Sequence, residues 1–464
     1  MDSAYDIDPR PRYFDFGGRL APLPREADPV AAPPTSPRTH PKLVTDTTLR
    51  DGSQDPCFAL FPNEAKVRYF DLLHELDHGT GVIEAVEVFV YQKRDLWVLE
   101  QLLERGYEYP RVTTWIRAST KDVKDLTRTT QGRVKETGLL APCSDHQILD
   151  RLRYPSKAEA AEKYLAAIVA AREHGITPRV HLEDATRADI DGWVVPFMRR
   201  VVAELDGDVL FRVCDTIGFG SPDPHASLPF GIPRLIATLC SEVDAELEFH
   251  GHNDFGLATA NTLSALRYGC RRANCAFGGL GERTGNTPLE QVLVGYVREY
   301  GDPGLELEVL GEMAALIEKE VVRLNPKQPV VGSSVFATQA GLHQTGLAHH
   351  AEATGGLIYL PFAPSAVGRG EEPLHRIGGL SGMDGIVSVL NDHRNGEDAP
   401  TDGRRPLTKT SRVAKHVYDR VQHAYDGRYD HGERRFVDYR TAFFEPEELA
   451  QIADEYERRQ REKE

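Results

Sequence analysis

From Pro41 onward, short β-type runs alternate with longer stretches whose apolar residues recur at helical spacing. The pattern predicts strands over 42–49, 83–91, 112–118, 134–141, 179–182, 209–213, 246–250 and 272–276. The intervening stretches predict helices over 63–76, 93–105, 157–174, 189–205, 232–243, 258–268 and 288–300. A short helix is predicted over 120–130, and the stretch 145–154 reads as a loop. Eight such units within one domain imply parallel strands with right-handed crossovers. Their number and total length fit an α/β fold of the TIM (β/α)8 barrel type. The rival is a doubly wound open sheet, but GGLGERTGN does not give GxGxxG and no GxxxxGK[ST] is present.

The pattern changes outside this region. Residues 1–41 are proline-rich without apolar periodicity, as a flexible segment would be. Residues 42–304 are read as the catalytic barrel. A helix over 307–324 then leads into a stretch broken by Pro, Gly and Ser, so 305–407 reads as a subdomain with a lid region over the active site. Residues 408–464 read as a helical C-terminal subdomain, with helices over 411–425 and 445–463.

Composition narrows the function. With 55 Lys and Arg against 71 Asp and Glu, the net charge is −16, which argues against nucleic acid as a partner. No run reaches the roughly 20 apolar residues of a membrane span. The N-terminus lacks a basic start followed by an apolar run, and the six cysteines form no CxxC pair. A cytoplasmic chain with reduced thiols is expected.

In such a barrel the active site gathers at the strand C-termini. The first strand ends in Arg50-Asp51, which is either a fixed cation beside an oxygen ligand or a surface ion pair. The seventh carries His250 and His252 on one face, with Gly251 between them. They are either two metal ligands, completed by Asp51, or histidines satisfied by neighbours. After the eighth strand, Asn286 is a candidate fourth ligand, unless that glycine-rich loop binds phosphate. His181 and Glu183 share a face on the fifth strand, and Glu183 suits proton handling. Thr216 follows the sixth strand as a donor to a carboxylate. Arg117 ends the third strand, where it meets either a second anionic group of a substrate or a barrel carboxylate such as Glu87.

The motifs DTTLRDG, EDATR, DTIG, HGHND and GERTGN, in this order, resemble the DRE-TIM metallolyase superfamily over about residues 43–350. GERTGN followed by GLHQTG resembles its Claisen-condensing synthases. The runs around GVIEAVEVFVY, WIRAS and KETGLLAPCSDH are most similar to the branch holding Re-type citrate synthase and 2-phosphinomethylmalate synthase. An Arg-rich, Ala-rich composition tilts the reading toward the antibiotic-biosynthesis side of that branch.

The resemblance implies a divalent metal (Mn, Co, Mg or Zn) on Asp51, His250 and His252, with Asn286 near or in its shell. It implies Arg50 as the stabiliser of the developing oxyanion, Glu183 as the active-site glutamate and Thr216 beside the substrate carboxylate. His343 matches a base from the region after the barrel, delivered across a homodimer or higher homo-oligomer. The implied substrates are acetyl-CoA and a short dianionic 2-oxo acid, with Arg117 and His181 at the distal end of the acid. An isopropylmalate, homocitrate or citramalate synthase is the alternative. A lyase or aldolase on the same barrel is the alternative from another class.

Overall fold

The computed structural model describes residues 23–31, 41–354, 358–370, 375–395 and 406–463. Two compact units divide at Leu324/Asn325. In the first, eight strands close a ring in chain order: β1 (Leu43–Asp46), β2 (Ile83–Val88), β3 (Arg111–Arg117), β4 (Glu136–Leu140), β5 (Thr177–Leu182), β6 (Leu210–Asp215), β7 (Glu246–Gly251) and β8 (Arg272–Cys275). Closure is made by β1 pairing in parallel with β8, Asp46 opposite Cys275. The crossover helices are α1 (Asn63–Asp77), α2 (Lys93–Glu104), α3 (Thr120–Thr130), α4 (Lys157–Glu173), α5 (Val195–Glu204), α6 (Ile232–Glu242), α7 (Ala258–Tyr268) and α8 (Leu289–Tyr300). The TIM-barrel expectation therefore holds, with every strand within a few residues of its predicted position.

Local chemistry sets the helix ends. A reciprocal Gln92–Asp95 capping box starts α2, and a left-handed His78 stops α1. Proline in the first turn opens α5 and α6, where its missing N–H costs no hydrogen bond.

The barrel interior is charged where aliphatic layers are the common solution. Arg179 reaches Glu87 at 2.7 Å and Glu136 at 2.8 Å, and Arg212 reaches Glu248 at 2.6 Å and Glu87 at 3.2 Å. Buried charge is tolerated only when paired in this way. Lower in the barrel, Arg272 is held by Glu84 and Glu246.

Two boundaries differ from those read in the sequence. Helix α9 (Val309–Glu320) buries Leu310, Met313 and Ile317 and packs on α1, so the barrel unit runs past 304 to Leu324. In the second unit, α10 (Gly341–Thr354), α11 (Met383–Asn395), α12 (Arg412–Asp426), a hairpin of β9 (Arg428–Asp430) and β10 (Arg435–Val437), and α13 (Pro446–Arg461) form one unit instead of two subdomains. Ile377, Ile386, Leu390, Val417, Val421 and Leu449 share a single core across the expected 407/408 boundary.

Most of the proline-rich N-terminal segment lies outside the described residues. Residues 23–31 run along the loop after β6, with Glu26 N–H donating to His225 O (2.8 Å) and Val30 N–H to Pro224 O (3.0 Å). All six cysteines are free, and among the described residues no helix is long and apolar enough to cross a membrane.

Candidate active site

A chamber of about 400 Å³ opens at the C-terminal ends of the strands. Its metal-competent corner comes from β1 and β7. After β1 the chain turns at once, with Arg50 and Asp51 N–H both donating to Thr47 O (3.0 and 2.8 Å). This turn directs two consecutive charged side chains into the barrel. Asp46 anchors its start by accepting from Thr48 N–H (2.9 Å), Thr48 Oγ1 (2.8 Å) and the Tyr69 hydroxyl (2.8 Å).

The Asp51 carboxylate lies 3.5 Å from His250 Nε2 and 3.8 Å from His252 Nε2, and the two Nε2 atoms are 3.2 Å apart. One ligand atom from each residue falls within 4.8 Å of the others. Gly251 is required between the histidines, since a Cβ there would meet Phe249 at 2.9 Å. His250 Nδ1 is 2.7 Å from Asn274 Oδ1, so it donates there and leaves its Nε2 lone pair facing Asp51 and His252. Asn274 is held in turn by donating to Thr45 Oγ1 (2.9 Å).

The charge states suit a cation. Burial alone would raise the Asp51 pKa, but Arg50 and the two histidines hold it below the usual carboxylate range. Burial, then the neighbouring His252, pushes His250 down, and burial does the same to His252. Ionised carboxylate beside neutral imidazoles is the state in which these groups bind metal. Among the described residues, Asp51 Oδ2 and Asn286 Oδ1 are buried acceptors without a hydrogen-bond partner. Buried acceptors left open around one point fit a divalent ion.

The remaining predicted residues distribute as follows. Asn286 is buried in the loop after β8, bridged to His252 across a short antiparallel contact, with its amide donating to Leu280 O (2.8 Å). That loop needs Gly285: its φ is +85°, and a Cβ would lie 1.8 Å from Gly279 O. Arg50 is buried between Glu87 (2.7 Å) and Asp51 (3.1 Å), with its guanidinium 5.5 Å from the Trp115 ring centroid. His181 lines the chamber, and its Nε2 accepts from Arg179 Nε (3.3 Å). Burial, then the Arg212 charge, drives its pKa well down, so it is a neutral ring. Glu183 pairs with Arg151 at 2.5 Å, and burial nevertheless raises its pKa. Thr216 accepts from Asp184 N–H (2.8 Å) at the chamber wall.

Arg117 is a correction. It is not in the chamber but on the outer side of the barrel, two-thirds exposed and forked onto Asp122 at 2.8 and 3.0 Å. Ser119 N–H donates back to Arg117 O (2.8 Å), so the chain is already turning and strand alternation no longer fixes the side chain. Its carboxylate partner is Asp122 on α3, not the expected Glu87. His343 belongs to the second unit, exposed near the start of α10 and stacked on Tyr359 with ring centroids 4.1 Å apart.

Arg151 and Asn274 were not anticipated. Arg151 ends a π-helical turn (His146–Arg151) in the stretch read as a loop, and no periodicity marks it. Asn274 carried a readable signal, an amide side chain inside a fully buried strand.

A closed (β/α)8 barrel with a carboxylate and two neutral imidazoles converging at its mouth has the make-up of a barrel enzyme with a candidate metal site. The HMGL-like family model matches residues 42–317, and the chain belongs to that family. It is 37% identical over 361 residues to the citrate (Re)-synthase of Clostridium kluyveri, covering 75% of this chain and 76% of that one. It is 35% identical over 371 residues to the 2-phosphinomethylmalate synthase of Streptomyces hygroscopicus, covering 76% and 80%. A citrate (Re)-synthase of Syntrophus aciditrophicus is 33% identical over 389 residues, covering 82% of this chain and 60% of that protein.

Proposed function

We propose that this enzyme is a metal-dependent synthase that condenses acetyl-CoA with a short dianionic 2-oxo acid, oxaloacetate or its phosphino or phosphono analogue, and releases CoA. The observation that carries the proposal is the Asp51–His250–His252 cluster beside a buried, carboxylate-clamped Arg50, in a chain 35–37% identical to a 2-phosphinomethylmalate synthase and a citrate (Re)-synthase. A divalent cation held by Asp51, His250 and His252, with Asn286 adjacent, supplies Lewis-acid polarisation of a keto oxygen when bound.

The chain's own residues supply the rest. A base takes a methyl proton from acetyl-CoA; His343 is assigned this role on the resemblance, with Glu183 assisting, in a homodimer or higher oligomer. The methyl carbon bonds to the keto carbon while the carbonyl electron pair moves onto oxygen. Arg50, fixed by Glu87 and Asp51, meets that negative charge without reorganising. Neutral His181 and Thr216 orient the acid. Water then cleaves the thioester, giving a carboxylate and free CoA thiol.

The test is thiol release from acetyl-CoA with manganese or cobalt against oxaloacetate, phosphonopyruvate, 2-oxoglutarate, 2-oxoisovalerate and pyruvate. Preference for oxaloacetate or its phosphorus analogue is expected. Preference for 2-oxoglutarate, 2-oxoisovalerate or pyruvate makes it a homocitrate-, isopropylmalate- or citramalate-type synthase. No release with any of them refutes the proposal in favour of a lyase.

A further inference from the structure

We infer that Arg151 is the specificity residue that meets the distal anionic group of the 2-oxo acid, exchanging Glu183 for the substrate as its partner. The inference rests on the proposed function and adds to it the residue that selects a dianion.

The ring order gives the direction. The metal-competent corner belongs to β1 and β7, which flank β8, while Arg151 follows β4, diametrically across a closed ring of eight strands. An acid held by its keto-carboxylate end at that corner extends its other end across the mouth toward the β4 side. Arg151 lines the same chamber as the cluster, with Leu140 and Trp115 as apolar wall on its side.

The cation inventory gives the identity. Three arginines line the chamber. Arg50 is buried beside Asp51 at the metal-competent corner, away from the β4 side, and is assigned to the oxyanion that develops there. Arg283 is forked onto Asp254 (2.8 and 3.0 Å) and also donates to Thr216 O (2.7 Å). Among the described residues Arg151 has one carboxylate partner, Glu183, through one terminal nitrogen at 2.5 Å, and its side chain is 48% exposed. A guanidinium with free donors can fork onto a carboxylate, phosphinate or phosphonate, all planar or tetrahedral oxyanions. Glu183 is a poor permanent counterion, because burial disfavours its charge. Arg117, the other candidate, lies outside the chamber.

The experiment compares wild type, Arg151→Gln, Arg151→Lys and Arg117→Gln, as full chains with manganese. Two quantities are read: the KM for oxaloacetate, and the competitive inhibition constant of 2-oxobutyrate, which has a methyl group in place of the distal carboxylate. A calorimetric Kd for each acid without acetyl-CoA supplies a readout independent of turnover. Arg151→Gln should raise KM and Kd for oxaloacetate by about 10–100-fold, the cost of one charge-assisted contact, and leave 2-oxobutyrate within about threefold. Arg151→Lys should fall between, and Arg117→Gln should change neither. Equal weakening of both acids, or a loss confined to kcat, overturns the inference and leaves the proposed function standing. A wild type active only on monoanionic 2-oxo acids overturns it too. A wild type that releases CoA with no 2-oxo acid instead refutes the proposed function.

Discussion

Replacing Asn274 tests whether the metal-competent corner depends on a residue that would not itself touch metal. Asn274 is fully buried, and its Oδ1 accepts the His250 Nδ1 proton at 2.7 Å. Its orientation is enforced from behind, because its amide donates to Thr45 Oγ1, which donates to Glu248, which is clamped by Arg212. In Asn274→Ala the His250 N–H loses its acceptor, which costs roughly 1–3 kcal/mol when buried. The ring can escape only by moving the proton to Nε2, the atom that faces Asp51. Either route subtracts from metal binding, and about 1.4–2.7 kcal/mol corresponds to a 10–100-fold weaker Kd. Manganese titration followed by electron paramagnetic resonance reads this directly, with a thermal melt to show that the chain is folded. Asn274→Asp keeps an acceptor for His250 but loses the donor to Thr45 Oγ1, so its manganese Kd should fall between wild type and Ala. An Ala variant that binds manganese as wild type does, or an Asp variant as impaired as Ala, would refute the tautomer lock.

Further outcomes follow from other residues. Asp51→Ala should abolish both manganese binding and metal-dependent turnover, and retained activity would remove Asp51 from the ligand set. Arg50→Lys, which keeps the charge but loses the fork between Glu87 and Asp51, should lower kcat by about 10²–10³-fold, read by steady-state CoA release; a change confined to KM would make Arg50 a binding residue. His343→Ala should lower kcat by about 10²–10⁴-fold with unchanged metal content; loss of metal by elemental analysis would give His343 a different role. Asp46, buried beside Thr48 and Tyr69, has its pKa raised by burial to about 7. A carboxyl that holds its proton more tightly when folded contributes stability that is present in full below about pH 4 and is lost as the pH rises through the folded value. The Tm of wild type should therefore fall relative to Asp46→Asn between about pH 4 and about pH 8, and a constant difference would mean that Asp46 stays ionised throughout.

The strands were legible because each is a short buried run set between turn-forming residues, and the paired histidines because a two-residue spacing on a strand fixes a common face. Arg117 shows where that rule stops: at the last residue of β3 the chain turns, and Asp122 captures the guanidinium on the outside. Arg151 was hidden for the opposite reason, since a single π-helical turn has too few residues to display a period. Helices α10 and α11 lie in a stretch punctuated by glycine and proline, where breaker signals outweighed short helical patterns. The 407/408 boundary failed because one apolar core can be assembled from segments on both sides of a compositional break.

The charged barrel interior has a consequence for how new specificities can arise. His181 touches Arg179, Arg179 touches Glu87, and Glu87 fixes Arg50. Gly138 is part of the same arrangement, since a Cβ there would collide with the His181 ring at 2.5 Å. A library aimed at His181, which also lies 3.7 Å from Glu87, therefore perturbs Arg50, the proposed catalytic cation, and its members should trade turnover for altered selectivity. Among the described residues, the turn after β4 is tied by Arg151 to Glu183 and not to Glu87 or Asp51, which hold Arg50. Diversifying residues 146–152 therefore leaves the Arg50 clamp in place and acts on the recognised acid and, through Arg151, on Glu183.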